Sequence, residues 1–179
     1  MKSKVYLAFI NDYFPPGWKH LTTKLRQCIH FPFDYQTVQI DLSLFYSSER
    51  NQYHSTLILS QLLKFLPEDG LKIVGITNVD IFIPIFTFVF GEAQLNGPGA
   101  IVSGHRLENK FYGLPADNSL FYERIHKEVV HELGHTMGLV HCPNFECAMH
   151  STTYVEEIDL KLPVLCKECQ QILGVTCED

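Results

Sequence analysis

The sequence lacks the features that mark nucleic-acid-binding and membrane-spanning chains. Charged residues make up only 19% of its 179 residues, and the net charge is −6 at neutral pH. No run rich in Lys and Arg is present, which argues against a nucleic-acid-binding surface. The longest uncharged apolar stretch covers residues 81–91 and contains a proline, whereas a membrane-spanning helix needs about 20 apolar residues. We therefore expect neither nucleic acid nor a membrane among its partners.

A secretion signal and internal repeats are also missing. Residues 1–10 have a basic start and a short apolar run, but polar residues and two prolines follow, without a small-residue cleavage site. This pattern favours a first buried strand and a cytoplasmic protein. No low-complexity or linker-like stretch interrupts the chain. Its length therefore predicts a single domain over residues 1–179.

The first 77 residues alternate between two kinds of pattern. Short β-rich segments bounded by turn residues predict strands at residues 5–10, 36–40 and 71–77. Segments with apolar residues at helical spacing, 18–29 and 52–66, lie between them. Strand–helix–strand alternation predicts an α/β fold with a parallel sheet and right-handed crossovers.

The pattern changes after residue 80. Residues 86–90 and 100–106 predict two further strands, joined by a short turn rich in Gly and Pro at residues 94–99. Strands joined by so short a connection are antiparallel. A strand flanked by proline also suits the edge of a sheet. We therefore expect a mixed sheet with an antiparallel edge strand.

A long amphipathic helix is predicted over residues 120–137, with apolar residues on one face. Asn118 or Ser119 is the expected N-cap, and Gly138 is well placed to end the helix. The last turns of this helix contain the chemically most informative residues of the chain.

The strongest motif is HExxHxxGxxH, which begins at His131 and ends at His141. His131 and His135 are four residues apart on a helix, so both can reach one zinc ion. Gly138 allows the chain to turn sharply, so that His141 can return as a third ligand. Three neutral histidines leave a fourth position open for water, which is typical of a catalytic zinc site. Glu132 lies beside the first ligand, where its carboxylate can accept a proton from that water.

Four cysteines follow the motif, at spacings that suit a second metal site. They are Cys142, Cys147, Cys166 and Cys169. Four thiolates form a closed tetrahedral site, as in structural zinc centres. The segment after His141 has so few apolar residues that we expect metal binding to supply its folding energy. We thus expect two zinc ions per chain.

Other readings of the cysteines are possible. Cys166 and Cys169 could form a redox pair, but no strand precedes them as in thioredoxin-like proteins. Disulfides are the other alternative. Cys28 and Cys177 stand apart from the cluster and are expected to be unligated thiols.

Residues 131–169 resemble the archaemetzincins, metzincin-type zinc metallopeptidases with an additional four-cysteine zinc site. The resemblance rests on HExxHxxGxxHC, then Cys147, Met149 and Cys-x-x-Cys; the first 130 residues are compatible only in layout. It implies that His131, His135 and His141 bind the catalytic zinc and that Glu132 is the general base and acid. It also implies that Met149 forms the turn below the zinc and that the four cysteines bind the second ion.

The same resemblance implies a metzincin-like fold, with a mixed five-stranded twisted sheet and an antiparallel edge strand above the cleft. It suggests an N-terminal subdomain, residues 1–138, and a small zinc-stapled C-terminal subdomain, residues 139–179. Some metzincins have a tyrosine two residues after the turn methionine, but here that position is Ser151. Tyr154, like His105, His126 and His150, is expected to have an ordinary packing or surface role.

Two functions remain open at this point. The first is a zinc peptidase acting on peptides or proteins. An extended substrate would add as a strand along the edge at 86–90, which would orient its carbonyl group toward the zinc. The second is a peptide-binding module that retains the zinc, or a zinc hydrolase of a non-peptide amide. The presence of Glu132 favours the peptidase, because a binding module has no use for a general base.

Overall fold

The core of the fold is a mixed five-stranded sheet, seen in a computed structural model that describes residues 3–26 and 29–176. In chain order the strands are β1 (Lys4–Ile10), β2 (Phe33–Val38), β3 (Tyr46–Ser47), β4 (Gln52–His54), β5 (Gly70–Thr77), β6 (Ile81–Phe82), β7 (Gly91–Ala93) and β8 (Gly99–Ser103). The helices are α1 (Trp18–Leu25), α2 (Ser55–Leu62), α3 (Asn118–Thr136), α4 (Val155–Leu160) and α5 (Lys167–Leu173). Among these described elements, none is a helix both long and apolar enough to cross a bilayer.

The sheet has the mixed topology that the sequence predicts. Its strand order is β2-β1-β5-β8-β7. The first four strands are parallel, and β7 pairs antiparallel to β8 at the edge. A second sheet of three short strands, β3-β4-β6, was not predicted. The antiparallel edge strand leaves one side of β7 open.

Two predicted helices are shorter in the structure. The helix predicted over residues 18–29 ends at Leu25. The start predicted at residue 52 is wrong, because Gln52–His54 forms β4 and pairs with both β3 and β6. Helix α2 therefore begins at Ser55. Side-chain periodicity alone does not reveal such a strand, because its pairing partners are distant in the sequence.

The edge strand was also predicted in the wrong place. Residues 84–87 form turns and bends, and the edge strand itself is Gly91–Ala93. Val89 folds back on β6, where its N–H donates to the carbonyl of Ile81 at 3.0 Å. The strand predicted over residues 100–106 ends at Ser103, and a 3₁₀ turn, His105–Leu107, follows it.

Strand β1 divides the core into two layers. Val5, Leu7 and Phe9 pack on the face covered by α1 and α3. Tyr6, Ala8 and Ile10 pack on the other face, beside α2. A central parallel strand buried on both faces is expected to be continuously apolar, as this one is.

The ends of α3 are set by specific backbone contacts. The N-cap is Asp117, not Asn118 or Ser119, and its carboxylate accepts from two backbone N–H groups at 3.0 Å. At the other end Gly138 adopts φ +98°. The N–H groups of Gly138 and Leu139 donate to the carbonyls of His135 and Gly134, both at 3.0 Å. This is a Schellman motif, which turns the chain back below the helix.

The segment after α3 contributes more to the core than its composition suggested. Its buried apolar residues join the same cluster as α1 and α3; they include Leu139, Ala148, Met149, Val155, Ile158 and Leu165. This segment therefore packs on the sheet-and-helix unit as well as on its own cysteines. The subdomain boundary at residue 138 remains a prediction.

A buried histidine on α3 predicts a pH effect on stability. Burial, with smaller effects of Lys24 and Lys127, lowers the pKa of His126 to about 4. Because the unfolded chain has a histidine pKa of about 6.5, it takes up the proton first, and stability falls as the pH drops from 6.5 towards 4. We expect the titration of His126 to lower the free energy of unfolding by about 2 kcal/mol between pH 7 and pH 5.

Denaturant unfolding of wild type and His126→Leu at both pH values measures this effect. Other titrating groups and any release of metal contribute to both proteins alike. An equal loss of unfolding free energy in the two proteins would show that His126 is not the cause.

Candidate metal centre and catalytic cleft

Three histidines converge at the C-terminal end of α3. The Nε2 atoms of His131 and His135 lie 3.1 Å apart. His141 approaches them after the Schellman turn, and the three ligand nitrogens all lie within 4.8 Å of one another. The helix provides two of the positions and the turn at Gly138 provides the third.

Backbone carbonyls hold two of these rings in place. The Nδ1 atom of His131 lies 2.8 Å from the carbonyl oxygen of Ala148, and the Nδ1 atom of His135 lies 2.8 Å from that of Leu139. A carbonyl oxygen can only accept a hydrogen bond. Each Nδ1 therefore carries the proton, and each Nε2 presents a lone pair. Such support of the distal ring nitrogen is typical of histidines that bind metals.

The protonation state of the three histidines also suits a metal. Burial lowers the pKa of His131, His135 and His141, so each is neutral near pH 7. Tetrahedral zinc with Zn–N bonds of about 2.0–2.1 Å separates its nitrogen ligands by about 3.3 Å. The 3.1 Å between the Nε2 atoms of His131 and His135 is close to that value. The donor set therefore fits a zinc ion with one position open.

The four cysteines form a separate cluster in the segment after α3. Cys142 and Cys166 are 3.7 Å apart at their Sγ atoms, and Cys147 and Cys169 are 3.8 Å apart. All four sulfurs lie within 4.8 Å of one another. A tetrahedral zinc site with Zn–S bonds of about 2.3 Å has S···S edges of about 3.8 Å, whereas a disulfide bond is about 2.05 Å long. The cluster therefore fits a closed zinc site and not a pair of disulfides.

The electrostatics of the cluster favour the same interpretation. Burial raises the pKa of the Cys147 and Cys169 thiols, so buried thiolates here need a cation. The backbone N–H groups of Met149 and Cys166 point at the sulfur of Cys147, at 3.5 and 3.3 Å. Cys28 and Cys177 lie outside the described residues.

Glu132 lies next to the histidines, against the edge strand. Its side chain is buried, and a Cβ atom placed on Gly91 would lie 2.5 Å from its Oε1 atom. Burial, reinforced by the neighbouring Glu128 carboxylate, raises the pKa of Glu132 well above its usual value. A carboxyl group whose pKa is raised holds a transferred proton more readily and can return it as a general acid.

Met149 packs against helix α3 at Gly134, the residue before His135. It is completely buried, and its sulfur packs against Gly134 of α3 so closely that any side chain there would collide with it. Its carbonyl oxygen accepts from the N–H of Cys142 at 2.9 Å. Met149 thus contacts both α3 and Cys142, the first residue of the cysteine cluster.

Glu132 and the three histidines line a cleft of about 700 Å³. Apolar residues of the segment before β7 also line it, including Phe86, Phe88 and Phe90. Val140 and residues 151–153 complete the lining. Three glutamates line the cleft, and no Lys or Arg is found among the described residues that line it.

The free edge of β7 borders the same cleft. Two residues that flank β7 are hydrogen-bonded to β8. The carbonyl of Phe90 accepts from the N–H of Ser103 at 2.8 Å, and the N–H of Gln94 donates to the carbonyl of Gly99 at 3.0 Å. Because backbone direction alternates along an antiparallel strand, Gly91 and Ala93 point their N–H and C=O groups away from β8. An extended peptide could bond to these two residues beside Glu132.

The close contact between Gly91 and Glu132 predicts a selective loss of activity. In Gly91→Ala the new methyl group would lie within 3.0 Å of the Oε1, Cγ and Cδ atoms of Glu132, so the carboxylate must move. A misplacement of about 1 Å can cost about 10²-fold in rate. We expect kcat to fall by about that factor, with zinc content and thermal stability unchanged.

Kinetics and elemental analysis of Gly91→Ala check this expectation. In a Glu132→Gln background the same substitution should have no further effect, because the group that it displaces is already inactive. An equal loss in both backgrounds would mean that Gly91 acts independently of Glu132.

Sequence reasoning missed three residues of this region. Gly91 carries no motif, and its role depends on a contact across 41 positions of the chain. Glu128 shares the helix face of His131, Glu132 and His135, so helical spacing could have revealed it. Lys161 is a lone charge between apolar residues, a pattern that could have drawn attention to a buried ammonium group.

Two residues that were expected to have ordinary roles lie in the segment after α3. His150 contacts the carbonyl of Cys142 at 2.9 Å, and Tyr154 is exposed at the N-cap of α4.

The amino-acid sequence is similar to those of known proteins. A sequence model of Peptidase family M54 matches residues 27–174. The chain is 48% identical over 104 residues to "Archaemetzincin" of Thermococcus kodakarensis, which covers 58% of this chain and 56% of that protein. The chain thus spans little more than half the length of this relative.

Solved structures cover more of the chain. The crystal structure of archaemetzincin from Methanopyrus kandleri superimposes with a TM-score of 0.84 at 30% identity, over 97% of this chain and 94% of that one. A zinc-dependent peptidase from Methanocorpusculum labreanum gives a TM-score of 0.85 at 32% identity, over 94% and 99% of the two chains. The similarity therefore extends from the histidine motif to the whole sheet.

Proposed function

The chain belongs to peptidase family M54, the archaemetzincins, and from this membership we propose that its cleft hydrolyses peptide bonds with the residues described above. The family makes the chain a zinc-dependent metallopeptidase. The assignment of its catalytic and metal-binding residues is our proposal. It rests chiefly on one observation: His131 and His135 direct Nε2 atoms at one point, 3.1 Å apart, beside the buried Glu132.

His131, His135 and His141 would hold the catalytic ion. Zinc in such a site lowers the pKa of a coordinated water to about 7 and polarises a substrate carbonyl. The carbonyls of Ala148 and Leu139 keep two of the ligand rings in the required tautomer. Met149 supports the floor of the site through its contact with Gly134.

Glu132 would move the proton in this reaction. As general base its carboxylate accepts a proton from the attacking water, and as general acid it returns that proton to the departing amine. Its burial and its place against Gly91 keep the carboxylate in a site from which bulk water is largely excluded. Its raised pKa, caused by burial, favours the half of this role in which the carboxyl group holds and donates the proton.

The substrate would be a peptide or protein segment that binds in extended form. The free N–H and C=O groups of Gly91 and Ala93 can pair with its backbone, which moves the docking edge from residues 86–90 to β7. Aromatic residues above the cleft would contact its side chains.

The second zinc ion would be structural and held by Cys142, Cys147, Cys166 and Cys169. The S···S distances of 3.7 and 3.8 Å support this assignment. Two zinc ions per chain is therefore our proposed stoichiometry. The cytoplasmic location predicted from the sequence remains a proposal, supported by a cysteine cluster that functions only when its thiols stay reduced.

Digestion of a diverse peptide library tests the proposed function. We expect cleavage by the zinc-loaded protein, loss of cleavage after chelation, and recovery when zinc is restored. A peptide hydroxamate that binds tightly, with no cleavage of any library member, would instead favour a peptide-binding module. Hydrolysis of simple amides without cleavage of peptides would favour a non-peptide amidase.

A further inference from the structure

A buried lysine lies next to the proposed catalytic centre. Lys161 is only 2% exposed, although lysine is almost never buried without a partner. It follows α4 and reaches towards α3 from the segment that also carries the cysteine cluster. None of the roles proposed above uses this residue.

The ammonium group of Lys161 has three acceptors, which match its three N–H donors. They are the Oε1 atom of Glu128 at 3.3 Å and the carbonyl oxygens of Ala148 at 3.3 Å and His150 at 3.2 Å. Glu128 is itself buried and lines the catalytic cleft one helical turn before Glu132. One side chain therefore joins α3 to the turn that contains Met149.

The carbonyl of Ala148 is the important acceptor, because it also binds the Nδ1 atom of His131 at 2.8 Å. Two donors, Lys161 and His131, thus share one oxygen. The second carbonyl, that of His150, lies on the other side of Met149. Lys161 holds both carbonyls and so fixes the backbone of the turn in two places.

We propose that Lys161 is a positioning residue, which fixes the carbonyl of Ala148 and through it orients His131 as a zinc ligand. The inference rests on the proposed catalytic zinc site. It assigns Lys161 no contact with substrate. Outer contacts to metal-ligating histidines are commonly worth about 10–100-fold in metal affinity.

The test compares two buried lysines that bind backbone carbonyls of the same region. Lys161→Met removes the ammonium group and keeps the length of the side chain. Lys127→Met is the matched control, since Lys127 is also buried and binds the carbonyls of Ile158 and Asp159 at 3.0 and 3.1 Å, without contacting Ala148. Affinity of the histidine site for Zn²⁺ is measured by chelator competition. Thiolate absorption of the Co²⁺-substituted protein reports the cysteine site separately.

We expect Lys161→Met to weaken zinc binding at the histidine site by about 10–100-fold, with the thiolate absorption of the cysteine site unchanged. Lys127→Met should retain the wild-type affinity. Equal affinities in Lys161→Met and Lys127→Met would overturn the proposal.

A double variant keeps the test decisive if Lys161→Met alone fails to fold. Lys161→Met combined with Glu128→Gln removes both charges of the pair and leaves no uncompensated carboxylate. We expect this protein to fold and still to bind zinc weakly at the histidine site. Recovery of wild-type affinity would show that Lys161 only neutralises Glu128, which would also overturn the proposal. A wild-type protein without zinc at the histidines would instead contradict the proposed function itself.

Discussion

Glu132→Gln is expected to lower the rate of peptide hydrolysis by about 10²–10⁴-fold, the usual contribution of a general acid–base group. The amide keeps the shape of the side chain and its fit against Gly91, but it cannot accept a proton from water. The ring nitrogens of His131 and His135 contact the carbonyls of Ala148 and Leu139 and each other, and the substitution leaves these contacts in place. Zinc content should therefore stay at the wild-type level, and this separates chemistry from metal binding.

Glu123→Gln is the matched control for this substitution, because Glu123 is an exposed residue of the same helix. Its rate should equal that of wild type. Full activity in Glu132→Gln would remove Glu132 from the mechanism. Loss of zinc together with activity would mean that Glu132 supports the site structurally.

Cys147→Ser is expected to destabilise the whole region after α3. Cys147 is buried, and its sulfur accepts from the N–H groups of Met149 and Cys166. Structural zinc contributes about 10–16 kcal/mol to the folding of small zinc domains, so loss of one ligand should cost several kcal/mol. Because the next residue, Ala148, supplies the carbonyl that orients His131, we expect zinc at the histidines to weaken as well.

Thermal unfolding and metal analysis of Cys147→Ser, compared with Cys28→Ser, measure these effects. The sequence predicts that Cys28 is unligated, so its replacement should change neither stability nor zinc content. If Cys147→Ser has the thermal stability and the zinc content of the wild type, the four-cysteine site is not a metal site.

The parts of the site that depend on local spacing were predicted from the sequence. His131 and His135 share a helix face because they are four residues apart, and Gly138 turns the chain because it tolerates a positive φ. The mixed sheet and its antiparallel edge were likewise predicted, since alternating strands and helices imply parallel strands and a short connection implies an antiparallel pair. The number of five strands was expected from the family resemblance.

The parts that depend on distant contacts were not predicted. The edge strand was predicted at the wrong residues because Val89 pairs with β6, and no local sequence pattern indicates that pairing. The beginning of α2 was misplaced for the same reason, since Tyr53 pairs with Ile81. Lys161 and Gly91 acquire their roles only when the chain brings them to α3.

Zinc stoichiometry of wild type and His135→Ala tests the central claim most directly. Elemental analysis should find two zinc ions per chain in the wild type and one in the variant, because His135 belongs to the histidine site alone. One zinc ion in both proteins, even after reloading with zinc, would mean that the cysteine cluster holds the only metal. The assignment of the three histidines as the catalytic zinc site would then be contradicted.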